Sequence, residues 1–287
     1  NQNAEENVRR AQAILQGEID YLQAIAQDWA RQEDLSAFVR GDETAAPASL
    51  LTEAAFETLE LNLIVVRDRS GQTVYAAEYA PQADTLSAPD AALLDQAARS
   101  VFAAGDSTRL LNDDDILPTP NGLLLLAART VAPGEADGAV LIGRYLTDER
   151  LQRLTDVIQL RLQVRLLDES APPQNFAEAR QALESGGQPI EFIEVDEVTL
   201  AGYTYLTRAD GTPVAILEIQ MPRFIFRNSL TVKNFLSIAL VFSAVVFAVT
   251  ILYVLEGLVI SRVTRLNREV NQIAKTGDLS ARVTLSM

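Results

Sequence analysis

From Phe235 to Leu255 the chain reads FLSIALVFSAVVFAVTILYVL, 21 residues without a charge. Wound as a helix at about 1.5 Å per residue, the run reaches about 31 Å, close to the hydrocarbon thickness of a bilayer. A helix buried in a protein core seldom needs so long an unbroken apolar stretch, so residues 230–256 read as one transmembrane helix. The remainder then divides into a part before the membrane and a part after it. Arg223, Arg227 and Lys233 precede the run, whereas Arg262, Arg265, Arg268 and Lys275 follow it, so the basic residues favour a cytoplasmic C-terminal side only slightly.

The charge is divided unevenly. Residues 230–287 hold six basic and three acidic groups, so the first 229 residues carry a net −18 where the whole chain carries −15. An acidic part of that size repels nucleic acid and anionic lipid, and no nucleic-acid partner is expected. The chain has no cysteine and no histidine, which excludes disulfides, thiolate zinc sites, a histidine general base and a phosphorylated histidine within these residues. Catalysis would have to rest on a carboxylate pair or a Ser-Lys arrangement, and no spacing singles out either, so these residues read as non-enzymatic and free of cofactors. NDDD at 112–115 lacks the alternating ligands and the glycine of a calcium loop; it reads as solvated loop, and no metal is expected.

The chain opens with a polar stretch rather than a signal peptide, so an export signal or a first membrane helix is expected before Asn1 if the outer part is exported. Val8, Ala11, Leu15, Leu22, Ile25 and Trp29 follow alternating three- and four-residue spacings, with polar Glu18 at the one seam position left over. That predicts a long helix over 1–40 with a narrow apolar stripe, suited to a partner helix in a receptor dimer or to its own domain. Beyond GDETAAP at 41–47, strand-like runs flank a Ser-Gly turn across 61–79, Ala88–Ala104 reads as helix, and NDDDILPTPNG at 112–122 reads as loop. Apolar runs at 123–131 and 138–146 predict a second hairpin. A helix at Leu151–Ile158 and a strand at 161–168 follow, then strands at 190–196, 199–207 and 213–221, the last two joined by RADGTP. The hairpins VRDRSGQTVYAAEY and LTRADGTPVAILEI share an apolar-acidic-Gly-apolar pattern, a weak sign of a repeat. The expected fold is α+β, an antiparallel-sheet sensor-like domain of the PAS or Cache kind over 41–229, built as one sheet or as two stacked lobes. After the membrane run, Val259, Val263, Leu266, Val270 and Ile273 keep a heptad that ends where Gly277 supplies a helix cap.

ISRVTRLNREVNQIAKTGDLSARV at 260–283 resembles the first helix and connector of a HAMP domain, with GDLS at 277–280 as the connector and Val263 where that family usually has proline. The outer part resembles the CHASE group of extracellular sensor domains, type four. DWARQEDLSAF at 28–38, GRYLTDERLQRL at 143–154 and DGTPVAILEIQMPRFIF at 210–226 carry the likeness, which extends over about Ala26 to Arg227. The resemblance implies residues 1–229 outside a bacterial cytoplasmic membrane, residues after 256 inside, and an N-terminal membrane helix before Asn1.

Together these readings describe the sensory part of a transmembrane signalling receptor. An outer domain detects a small-molecule or protein stimulus, and a membrane helix and a homodimeric HAMP bundle, residues 257–287 onward, relay it to an output domain beyond Met287: a histidine kinase, a cyclic-nucleotide or cyclic-di-nucleotide enzyme, or a chemotaxis-type module. The rival from another class is a membrane-anchored accessory protein whose outer domain binds another protein. Candidate ligand residues are Trp29, Asp34 and Phe38 of the first motif, Tyr75 of the first hairpin, and Arg129 and Arg144, charges in otherwise apolar strands that need a ligand carboxylate, an internal ion pair or a strand edge. Candidate relay residues are Val259, Val263, Leu266, Val270, Ile273, Gly277, Asp278 and Leu279.

Overall fold

The computed structural model describes residues 2–42, 50–79, 85–103, 106–131, 137–196, 198–222, 224–255 and 267–268, without the side chains of 2, 106–108, 224–237 and 255. The chain divides into two compact units, Asn1–Pro222 and Arg223–Met287.

In the first unit, helix α1 (Gln2–Ala30) is built from good helix formers, and its Ala4, Val8, Ala11, Leu15, Ile19, Leu22, Ile25 and Trp29 are buried in one continuous stripe. That stripe is covered by the chain's own sheets. Of the two partners left open for the stripe, the structure shows its own domain, and residues 1–40 belong to the same compact unit as the sheets. Two short helices follow, α2 (Glu33–Val39) and α3 (Glu53–Leu59). Thr52 caps α3 by accepting from Ala55 N at 3.3 Å, and Glu60 ends it in the left-handed region at φ 50°.

The strands are β1 (Leu63–Asp68), β2 (Thr73–Tyr79), β3 (Leu86–Ser87), then, after helix α4 (Ala91–Val101), β4 (Phe102–Ala103), β5 (Asp106–Leu110), β6 (Asp114–Thr119), β7 (Gly122–Val131) and β8 (Gly138–Tyr145). Six of them form an antiparallel sheet in the order β3-β2-β1-β8-β7-β6, and β4 pairs with β5 alone. One face, with Ile64, Val66, Leu125, Ala127, Val140 and Ile142, packs under α1 and α2; the other, with Leu63, Val65, Leu124, Leu126 and Leu141, packs under α4. Burial on both sides is why β7 and β8 read as unbroken apolar runs rather than as alternating ones.

Helix α5 (Asp148–Ile158), capped by Thr147, leads into β9 (Arg161–Leu166), α6 (Gln174–Gly186), β10 (Glu191–Glu194), β11 (Thr199–Thr207) and β12 (Pro213–Pro222). These strands form a second antiparallel sheet, β10-β11-β12-β9. The first unit is thus two lobes and not one sheet, and α1 spans both. Gln12 donates to Thr204 of β11 at 3.2 Å, and a Cβ on Gly202 would come within 2.7 Å of Val8. In each lobe the first strand lies beside the last, β1 with β8 and β9 with β12.

That topology corrects the repeat suggested by the turn sequences. The β1–β2 and β11–β12 turns close alike, with Asp68 N donating to Gln72 O and Arg208 N to Thr212 O, and with Gly71 and Gly211 at φ 88° and 85°. In the lobe order, however, β11–β12 matches β7–β8, so the likeness is local turn chemistry. The loop expected at 112–122 is also corrected. Residues 114–119 form β6, an edge strand, where Pro118 costs no central ladder bond.

In the second unit, α7 (Phe224–Leu255) is a helix of 32 residues whose described side chains, 238–254, are all exposed, Ile238 by 68% and Phe247 by 69%. Among the described residues no helix is both long and apolar enough to cross a membrane, so the span expected over 230–256 is not established by the fold. The relay residues Val259, Val263, Leu266, Val270, Ile273, Gly277, Asp278 and Leu279 lie outside the described residues.

Candidate functional site

The penultimate residue of strand β8 is Arg144, whose side chain is 3% exposed on the face under α1. Burying a guanidinium that far requires an acceptor for each edge, and the neighbouring elements provide them. Nη1 donates to Glu18 of α1 at 2.8 Å, Nη2 to Leu59 O at 2.6 Å and Nε to Glu60 O at 2.9 Å, at the left-handed end of α3. The guanidinium also lies 5.1 Å from the Tyr21 ring centroid. Burial, and then the nearby Arg150, push the Arg144 pKa down, while Glu18 and Glu60 oppose that shift.

Arg150, from the first turns of α5, donates to the same Glu18 oxygen at 2.6 Å and pairs with Glu60, which also holds Arg153 at 3.2 Å. Five charged side chains therefore join α1, α3, β8 and α5 at the point where the chain leaves the first lobe for the second. Beside them opens a cavity of about 280 Å³ whose walls include Phe56, Asn62, Tyr79, Tyr145, Thr147 and Arg153. Asn62 ties its floor together, donating to Tyr79 O at 2.8 Å and accepting from Tyr145 N at 2.9 Å. Tyr145 donates its hydroxyl to the buried Glu78 at 3.0 Å, and burial raises the Tyr145 pKa.

Arg129 of β7 reaches the same helix one turn further along. It donates to Gln23 of α1 at 3.1 Å and pairs with Asp113 at 3.3 Å, while Gln23 donates to Asp114. Of the roles left open for Arg129 and Arg144, the geometry holds the internal ion pair for both. Trp29, Phe38 and Tyr75 come together in the core between α1, α2 and the first sheet, with the Tyr75 hydroxyl donating to Leu51 O at 3.3 Å; Asp34 is exposed on the first turn of α2. The structure thus gathers three of the six candidates in one apolar cluster and sets two more as ties between α1 and the sheet. Glu18, Glu60, Arg150 and Arg153 were not among the candidates. Glu18 left a signal as the polar residue in an apolar stripe, and Arg150 and Arg153 lie within the motif GRYLTDERLQRL. Among the described residues no group of three or more carboxylates could hold a metal ion, and the three aspartates at 113–115 each face a different partner.

Arranged this way, the charges make the position of α1 against β7 and β8, and of α5 against α1 and β8, depend on a shared set of ion pairs.

The family model for the CHASE4 domain matches residues 14–165, from the second half of α1 to the end of β9. The chain is 23% identical over 246 residues to the methanogenesis regulatory histidine kinase FilI of Methanothrix harundinacea, an alignment that takes in 84% of this chain and 27% of that protein, so the chain spans about a quarter of the curated relative's length. Among solved structures it is similar to the ligand-binding domain of the Pseudomonas fluorescens chemoreceptor CtaA in complex with L-isoleucine, with TM-score 0.38, 16% identity and coverage of 78% of this chain and 90% of that one. It is also similar to the ligand-binding domain of the Campylobacter jejuni chemoreceptor Tlp3 in complex with L-valine, with TM-score 0.43, 7% identity and coverage of 79% and 94%.

Proposed function

The chain belongs to the CHASE4 family of receptor sensor domains, and from that premise we propose that it is the sensory part of a transmembrane receptor, its Cache- or PAS-like outer lobes at 41–229 detecting a stimulus outside the membrane. The family match over 14–165 carries this reading. Two features support the relay: β12 ends at Pro222 with α7 starting at Phe224, and α7 contains the 21-residue apolar run. Residues 230–256 cross the membrane, residues 257–287 begin a HAMP bundle in a homodimer, and the output is a histidine kinase or a related signalling enzyme.

The stimulus, a small molecule or a protein, acts on the first lobe. Trp29, Phe38 and Tyr75 occupy the layer under α1 and α2, Asp34 stands at its rim, and Arg129 and Arg144 hold α1 to the sheet. A ligand shifts such a receptor only by binding one arrangement of α1 more tightly than another, and the ion pairs shared around Glu18 are contacts that a displacement of α1 has to change.

Residues 1–287 contain no cysteine, so topology can be read from single ones introduced among them once any cysteine elsewhere in the receptor is replaced. In the full-length receptor expressed in intact cells, an impermeant maleimide is expected to label Gln181→Cys and to label Asn267→Cys only after lysis. Equal labelling of both before lysis would sink the transmembrane reading.

A further inference from the structure

Asp115 stands out as an acidic residue with no role in the node around Glu18. It shares its face of β6 with Leu117 and Thr119, both buried, and is itself only 2% exposed. Its partners come from the other lobe. Arg208, in the turn between β11 and β12, donates to Asp115 Oδ2 through Nη2 at 2.8 Å and Nε at 3.2 Å, and Ala209 N donates to Oδ1 at 2.9 Å. Ile116 N, also 2.9 Å from Oδ1, completes the shell. Four donors thus hold one carboxylate, three of them on a turn whose following strand, β12, runs to the start of α7.

Next to this contact the lobes are not fully packed. A cavity of about 190 Å³ lies between α1, the first sheet and β11, bordered by Gln12, Ile116, Leu125, Leu206 and Thr207. Ile116 and Thr207 adjoin the two ion-pair partners in sequence, and beside this cavity Arg208 and Ala209 bond the turn to Asp115. A buried ion pair contributes little net stability compared with apolar residues of the same size, so stability alone does not account for one here. Removing one partner, by contrast, leaves the other charge uncompensated where the turn meets the sheet edge.

We propose that the Asp115–Arg208 contact is a clasp between the lobes, which couples the position of the β6 edge in the first lobe to β12 in the second, independently of the covalent route through α5. In the receptor reading above it would carry a displacement of the first sheet toward α7, but the coupling itself is a property of the outer unit and is measured without any stimulus.

The test is an inter-lobe distance distribution. Spin labels at Gln96→Cys on α4 and Gln181→Cys on α6, both exposed positions, are read by pulsed electron resonance in the full chain diluted with unlabelled chain. Arg208→Gln is expected to broaden the distribution by at least about 1.5-fold. Asp115→Asn should do the same, and the double substitution should broaden it no further than either alone, as the closed cycle of a directly coupled pair requires. Arg165→Gln, which breaks the exposed pair with Glu169, should leave the width unchanged. Unchanged widths accompanied by a lower melting temperature would reduce the contact to a structural cap and overturn the proposal, as would broadening in the Arg165 control or additive broadening in the double variant. If Asp115→Asn does not fold, Arg208→Gln decides alone, since it leaves Asp115 with the backbone donors of Ile116 and Ala209.

Discussion

A carboxylate in the apolar stripe of a helix costs free energy unless cations reach it, and Glu18 is reached by two, Arg144 and Arg150. Removing its charge leaves a nearly buried guanidinium beside a second one. Glu18→Gln is therefore expected to lower the unfolding free energy by about 3 kcal/mol, the lower end for a broken buried pair. Arg153→Gln, whose side chain is 54% exposed, should change it by less than about 0.5 kcal/mol. Urea unfolding with unchanged m-values checks both, and equal effects would mean that Glu18 does not centre the node. Asp114 makes a pH-dependent case. Burial pushes its carboxyl above the usual carboxylate range, helped by Asp113 and Asp115 and opposed by the Gln23 hydrogen bond and Arg129. With the folded pKa raised, the folded state favours the protonated acid, so this contribution to stability is present at low pH and is lost as pH rises through the folded value. Asp114→Asn should raise the neutral-pH melting temperature by about 1–2 °C, a gain that disappears below about pH 3.9. A gain independent of pH would assign the effect to packing.

The contact between α1 and the second lobe is close enough for one methyl group to test it. A Cβ at Gly202 of β11 would lie 2.7 Å from Val8 Cγ2, in a buried contact, whereas one at Gly17, on the exposed face of the same helix, would meet nothing within 4 Å. Gly202→Ala should cost about 1–3 kcal/mol by overpacking, and Gly17→Ala should add about 0.5–1 kcal/mol by restricting the unfolded chain. Thermal melts of the two variants should move in opposite directions. At this scale the sequence was informative where local signals agree: the hairpins β1–β2, β7–β8 and β11–β12, and helices α1, α4 and α5, follow from apolar runs, periodicity and turn residues. It misled at β6, where two aspartates and a proline read as loop because the aspartates' partners, Gln23 and Arg208, belong to other elements. Arg129 and Arg144 were legible as charges needing partners. The partners themselves were not, since Gln23 and Glu18 lie 106 and 126 residues away along the chain.

In the molecule as a whole, α1 rests on both sheets and β12 runs to the threshold of α7, so the two ends of the outer unit are held by one body. A dimer built on the proposed receptor plan therefore cannot use the inner stripe of α1, which is already covered. On that plan the helix-to-helix contact is expected on the heptad after the apolar run, where Val263, Leu266 and Val270 recur in sequence at three- and four-residue spacing. Single cysteines introduced into the cysteine-free chain separate these surfaces. Disulfide cross-linking between subunits should be efficient at Val263, Leu266 and Val270 and at least about fivefold weaker at Arg262 and Arg268. It should be absent at Leu15, whose side chain is 6% exposed beneath the chain's own sheets. Equal cross-linking at Arg262 and Val263 would remove the seam from the relay. Efficient cross-linking at Leu15 would mean that α1 leaves its own domain to pair with a second copy, the one outcome that would restore the two-helix reading of its stripe.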